Sequence, residues 1–161
     1  MTSMASSSYH RLASFAVPSE PGNERVALAQ VAEAVAGQGL PADRLERLKT
    51  AVAEAAMNAI EHGNRHQPEI PVDVEVVSAG GDIVVTITDQ GGAPEVTGPG
   101  EEPDLAKKLA GEQDERGWGL FLIRHMVDAM DVTTEGTRHT VRLVMRAGAG
   151  AGEGGRSEDD M

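Results

Sequence analysis

Between Val72 and Thr88 two short runs alternate apolar with polar residues, and Ala79-Gly80-Gly81-Asp82 separates them. Val72, Val74 and Val76 share one side of the first run; Ile83, Val85 and Ile87 share one side of the second. A period of two is the pattern of a half-buried strand, and a Gly-Gly turn closes two such strands into a hairpin. Helical patterns on both sides of this hairpin supply what its apolar face can pack against. The stretch from Pro21 to Ala36 carries Val26, Val31 and Val35 and is stopped by Gly37 and Gly39. Pro41 suits the first turn of a second helix, which runs to about Glu61 with Leu45, Leu48, Val52, Ala55 and Ala59 on one stripe, and Gly63 ends it. A third helix is predicted over Gly119 to Met130, with Leu120, Ile123 and Val127 inward. Residues 9–17 read as a first strand. Asp131 to Glu135 and His139 to Arg146 read as a closing hairpin. This order predicts an α+β fold, a mixed and mostly antiparallel sheet with helices on one face.

The core of such a domain must be aliphatic, because aromatic residues are only 2% of the chain. A formal net charge of −12 argues against non-specific binding to nucleic acid or to an anionic membrane. Cysteine is absent, which removes disulfides, thiolate zinc sites and a catalytic thiol. No apolar stretch reaches the length of a membrane span, and Met1 to Ser8 lacks the order of a secretory signal. The expected location is the cytoplasm. Residues 1–8 and 147–161, the latter a Gly/Ala run followed by acids, read as disordered ends around a domain over 9–146. From Gln90 to Arg116 the chain is rich in Gly, Pro and acid, with one short helix signal at Leu105 to Ala110. A segment of that kind inside a compact domain is usually functional or disordered.

Three stretches carry chemistry. In Glu54-Ala55-Ala56-Met57-Asn58-Ala59-Ile60-Glu61-His62-Gly63, Glu54 and Asn58 are four apart and stack on one helix face. That face is turned away from the Leu45/Leu48/Val52 stripe, so both side chains are expected beside the core and not in it. A carboxamide oxygen is a hard neutral ligand suited to Mg²⁺, and a carboxylate one turn earlier can take a proton from a hydroxyl. In Asp89-Gln90-Gly91-Gly92-Ala93-Pro94, directly after a strand, the glycines let backbone approach a flat ligand, and Asp89 can accept from an exocyclic amino group. In Glu115-Arg116-Gly117-Trp118-Gly119-Leu120, a glycine-rich helix start offers N–H groups to phosphate, and Arg116 adds a fixed charge. Taken singly, these also read as a solvated helix face, an Asp/Gly/Pro turn and an ordinary helix start. The histidines His10, His66, His125 and His139 show no metal-ligand spacing and read as surface or packing residues.

The order of the three stretches resembles that of the GHKL ATPase superfamily, with its N box and two glycine boxes. The nearer resemblance is to the bacterial anti-sigma-factor serine/threonine kinases, through Glu54, Asn58, His62 and Gly63 and through the run Arg116 to Ile123. The resemblance implies a Bergerat-type ATP-binding α/β sandwich. It implies that Asn58 ligates Mg²⁺ on the ATP phosphates, that Glu54 is the catalytic general base, and that Asp89 receives the adenine amino group with Gly91 giving room. It further implies that Gly117 and Gly119 face the phosphates, that Arg116 reaches the γ-phosphate, that Glu95 to Glu115 form an ATP lid, and that His62 is structural. Ala93 stands where the family usually has glycine, and either Thr137 or Thr140 stands for the threonine that closes the pocket. The implied function is phosphorylation of an anti-anti-sigma (STAS-type) partner coupled to sequestration of a sigma factor, with no direct nucleic-acid or membrane contact, in a possible homodimer. The alternatives are a nucleotide-responsive module that binds a partner without phosphotransfer and, less favoured in so short a chain, an ATPase that drives a movement.

Overall fold

The computed structural model describes residues 9–91 and 115–146, with the side chains of residues 115–118 excepted. The residues expected to form disordered ends, the short helix at Leu105 to Ala110, and Gly92 to Pro94 lie outside the described residues. The elements run β1 (Tyr9–Val17), α1 (Asn23–Val35), α2 (Ala42–Asn58), a π-helical turn (Ala59–Gly63), β2 (Val72–Ala79), β3 (Asp82–Asp89), α3 (Glu115–Met126), β4 (Ala129–Glu135) and β5 (Arg138–Arg146).

The strands form one five-stranded sheet in the order β1-β2-β3-β5-β4. Every neighbouring pair is antiparallel, so the mixed sheet expected from the sequence is antiparallel throughout among the described residues. Two tight turns set its register. Gly80 and Gly81, at φ +59° and +92°, join β2 to β3, the two-residue turn in which both positions need the left-handed region. Gly136, at φ +60°, lies in the turn from β4 to β5. The register shift between Arg11 and Ala13 puts a bulge at Leu12 in β1.

Alternation along each strand sends Val72, Val74 and Val76, Ile83, Val85 and Ile87, and Val141, Leu143 and Met145 to the same face. There they meet Ala27 and Val31 of α1, Leu48, Val52 and Ala55 of α2 and Ile123 of α3 in a single aliphatic core. The other face is lined by Ser14, Asp73, Glu75, Thr86, Arg138 and Thr140, around an open groove of about 570 Å³.

The third helix is shorter at its end than the sequence pattern predicts. It stops at Met126 where the pattern runs on to Met130, and β4 begins at Ala129. Asp128 is the reason: its N–H donates to the Val144 carbonyl at 2.9 Å, and its carboxylate accepts from the Arg146 N–H at 2.7 Å and from Arg44 at 2.9 Å. Those three bonds peel the chain off the helix and onto the edge of β5. The second helix also departs from expectation, being α-helical only to Asn58 before widening into the π-helical turn.

Candidate functional site

That widening shapes one half of the site. Within the turn the Asn64 N–H donates to the Ala59 carbonyl at 2.7 Å, five residues back, and His66 N–H donates to Ile60 at 2.8 Å. Single π turns inside helices recur at functional positions, where the extra residue re-aims the chain beyond it. Arg65 and His66 leave the turn at φ 54° and 59°, a region that costs a non-glycine residue roughly 1 kcal/mol or more each. The consequence is that Gly63 is delivered onto the end of β3. A Cβ added to Gly63 would fall on the Asp89 carboxylate, and one added to Gly91 would fall on the Gly63 carbonyl. Gly63, Asp89 and Gly91 therefore nest without room for a side chain.

Asp89 ends β3 on the helix-covered face and is 1% exposed. A buried carboxylate must be held by donors. The Gly91 N–H donates to Oδ1 at 2.9 Å, and His139 Nδ1 lies 3.2 Å from Oδ2. His139 is fully buried and sits directly across from Asp89 in the β3–β5 register. Asn64, 2% exposed, ties the same corner together. Its Nδ2 donates to Ser19 Oγ at 2.9 Å and approaches the Ile70 and Pro71 carbonyls at 3.2 and 3.1 Å, while its Oδ1 accepts from the Gln90 N–H at 2.8 Å.

The other half lies between α2 and α3. Glu54 and Asn58 sit one turn apart on the last part of α2, and Gly119 of α3 comes down on both. A Cβ on Gly119 would stand 2.6 Å from Glu54 Oε2 and 2.8 Å from Asn58 Nδ2. Glu54 is half-buried, as expected of a side chain beside the core. Asn58 is not: it is 5% exposed, a correction to the sequence expectation, because α3 covers it. Its Nδ2 is the buried side-chain atom without a hydrogen-bond partner among the described residues. Such an atom normally has one. The unspent Nδ2 is a donor that suits a phosphate or water oxygen, and the Asn58 Oδ1 is the atom of that side chain able to ligate a cation. With the half-buried Glu54 carboxylate, packed where Gly119 leaves no room for a Cβ, the pair suits a phosphate that carries a hydrated divalent cation. Such an ion needs few protein ligands. No cluster of three or more His, Asp or Glu stands among the described residues to hold a metal in another way.

Of the seven residues singled out from the sequence, Glu54, Asn58 and Gly119 are brought together, and Asp89 and Gly91 are brought together at the end of β3. Arg116 and Gly117 lie in the first turn of α3; their side-chain surroundings lie outside the described residues, as does the lid segment up to Asp114. Thr137 is exposed in the β4–β5 turn. Thr140 faces the outer groove, its Oγ1 3.1 Å from Thr88 Oγ1. The β5 side chain that meets Asp89 is His139, read from the sequence as a surface or packing residue. Its role has no local signal and emerges only from strand register. Asn64 is a second member of the site that sequence reasoning misses, although it directly follows Gly63.

The sequence profile of the histidine kinase-like ATPase domain matches residues 17–145. The chain belongs to that family. An anti-sigma F factor of Oceanobacillus iheyensis is 31% identical over 119 residues, covering 74% of this chain and 80% of that protein. The anti-sigma F factor of Geobacillus stearothermophilus is 31% identical over 126 residues, covering 78% and 84%. Among solved structures, the fold is shared with the RsbU and RsbW domains of a Mycobacterium tuberculosis protein, at TM-score 0.60 and 19% identity over 84% of this chain and 31% of that one. It is also shared with the SiaB–SiaC complex of Pseudomonas aeruginosa, at TM-score 0.60 and 16% identity over 90% of this chain and 95% of that one. No helix among the described residues is long and apolar enough to cross a membrane.

Proposed function

We propose that this protein is an anti-sigma factor that uses ATP to phosphorylate a serine or threonine of an anti-anti-sigma partner and that sequesters a sigma factor. The observation that carries this reading is the convergence of Glu54 and Asn58 on Gly119, with the Asn58 amide buried and unspent. The relatives named anti-sigma F factor support the regulatory role. In this reading Asp89 accepts the adenine amino group, Gly91 gives the ring its room, Gly63 lets the helix end close on the Asp89 carboxylate, and Gly117 and Gly119 keep side chains away from the phosphates. Arg116 adds a charge toward the γ-phosphate. Asn58 is the side chain that would hold Mg²⁺, which when bound neutralises charge on the phosphate oxygens.

Glu54 supplies the protein's own part of the chemistry. Its carboxylate accepts the proton of the partner's hydroxyl as that oxygen bonds to the γ-phosphorus, and the bond from phosphorus to the bridging oxygen breaks to release ADP. A side chain held half-buried beside the phosphates loses little freedom on reaching that arrangement, and positioning is most of what phosphoryl transfer asks of a protein.

Calorimetric titration with ATP, with and without Mg²⁺, followed by radiolabel transfer to the candidate partner, tests the reading. Mg²⁺-dependent binding with transfer is expected, and Glu54→Gln should keep the binding while transfer drops by at least about a hundredfold. Transfer that survives Glu54→Gln removes the base. Binding without any transfer in the wild type would leave a nucleotide-responsive partner-binding module instead of a kinase.

A further inference from the structure

His139 stands apart from everything the proposed function uses. It is a titratable ring with no exposed surface, placed on β5 opposite Asp89, and its Nδ1 is within hydrogen-bond distance of Asp89 Oδ2. We infer that His139 is a positioning residue for base recognition: it fixes the Asp89 carboxylate so that a purine carrying a 6-amino group is chosen over one carrying a 6-oxo group. This rests on the reading that Asp89 receives the base.

A carboxylate held through one oxygen can still turn about its Cβ–Cγ bond. Asp89 is held through both, by the Gly91 N–H on Oδ1 and by His139 on Oδ2, so its plane is set. An imidazole that meets a carboxylate at Nδ1 donates from that atom, which fixes the ring as the Nδ1–H tautomer or keeps Nδ1–H in the charged form. Either way the carboxylate remains an acceptor. A carboxylate oxygen attracts an amino group and repels a carbonyl oxygen. The discrimination is sharp only if the oxygens point in one direction, because a site with buried, oriented polar groups rejects a ligand that leaves them unmatched. Gly63 adds to this by lying against the carboxylate on another side, where no side chain fits.

The test uses the full chain and four nucleotides, ATP, ADP, ITP and IDP, which differ at the 6-position of the base within each pair. For the wild type, calorimetry should give ADP tighter than IDP by about ten- to a hundredfold, the range of one hydrogen bond to a charged acceptor. In His139→Leu that ratio should fall to within about threefold, through loss of ADP affinity with IDP affinity kept, and ATP against ITP should behave alike. His139→Asn, which keeps an N–H donor at similar reach, should restore most of the ratio. An unchanged ratio in His139→Leu overturns the inference, and so does an equal loss for both bases, which is what a merely structural histidine would produce. Should His139→Leu fail to fold, the wild type decides the matter alone. Its imidazole ¹H–¹⁵N spectrum, assigned by the signal missing in His139→Asn, should show Nδ1 protonated and should shift on adding ADP but not IDP. An Nδ1 without a proton overturns the inference. A wild type that binds both bases equally, or neither, brings down the Asp89 reading itself.

Discussion

The two halves of the site are finished to different degrees. At the end of β3 the buried polar side chains have partners: Asp89 has Gly91 and His139, and Asn64 has Ser19, Ile70, Pro71 and Gln90. Between α2 and α3 the Asn58 amide is buried with nothing to donate to among the described residues. In the proposed reading the β3 end meets a base, which is flat, neutral and always the same shape, so that half can be built in advance. In the same reading the α2/α3 half would meet phosphates and their cation, which bring charge and move during transfer, so that half keeps capacity in reserve. A satisfied buried network is costly to cut, whereas a buried amide that already lacks a partner gives up little when removed.

This contrast can be broken by substitution on each side. Gly63→Val should be the most damaging, at about 3 kcal/mol in urea unfolding, because the added side chain meets a carboxylate clamped from two directions. A loss below about 1 kcal/mol would mean the corner is softer than its bonds suggest. Asn64→Ala should cost about 2 kcal/mol by the same measurement, since it leaves the Gln90 N–H and the Pro71 carbonyl without their Asn64 partner, while the Ile70 carbonyl keeps the Ser19 hydroxyl. On the opposite side, Asn58→Leu should change stability by less than about 1 kcal/mol, yet weaken Mg-ATP binding at least about tenfold in calorimetry. If Asn58→Leu proves as destabilising as Asn64→Ala, the amide is spent inside the fold and the comparison fails. The smallest effect on folding is expected for Gly119→Ala. There the gain in helix propensity offsets crowding of two side-chain tips, for a net change within about 0.5 kcal/mol. Its ATP affinity should nonetheless drop, because the new methyl group pushes the tips of Glu54 and Asn58 out of position.

Much of the fold was legible in the chain. The hairpin over residues 72–89, its Gly80-Gly81 turn, the apolar stripe of α2 and the inward residues of α3 all follow from periodicity, because each is a local pattern tied to a local geometry. The end of α3 did not follow, because Val127-Asp128 continues the helical pattern while the bonds that stop it come from Val144, Arg146 and Arg44. The π-helical turn was equally invisible: Ala59 to Gly63 reads as good helix, and the widening answers to Gly63 nesting on Asp89.

By itself the sequence determined which residue types the candidate site would draw on, and in what order, since Glu54-x-x-x-Asn58, Asp89-x-Gly91 and Gly117-x-Gly119 are short-range spacings. Only the tertiary structure decided who faces whom. It buried Asn58 beneath α3, turned Thr140 to the outer groove, and set His139 against Asp89. The physical reason is register. A strand's side chains alternate faces, so whether residue 139 or residue 140 reaches the site depends on where β5 pairs with β3. That is a long-range choice, made by packing of the whole sheet and written in no local stretch of the chain.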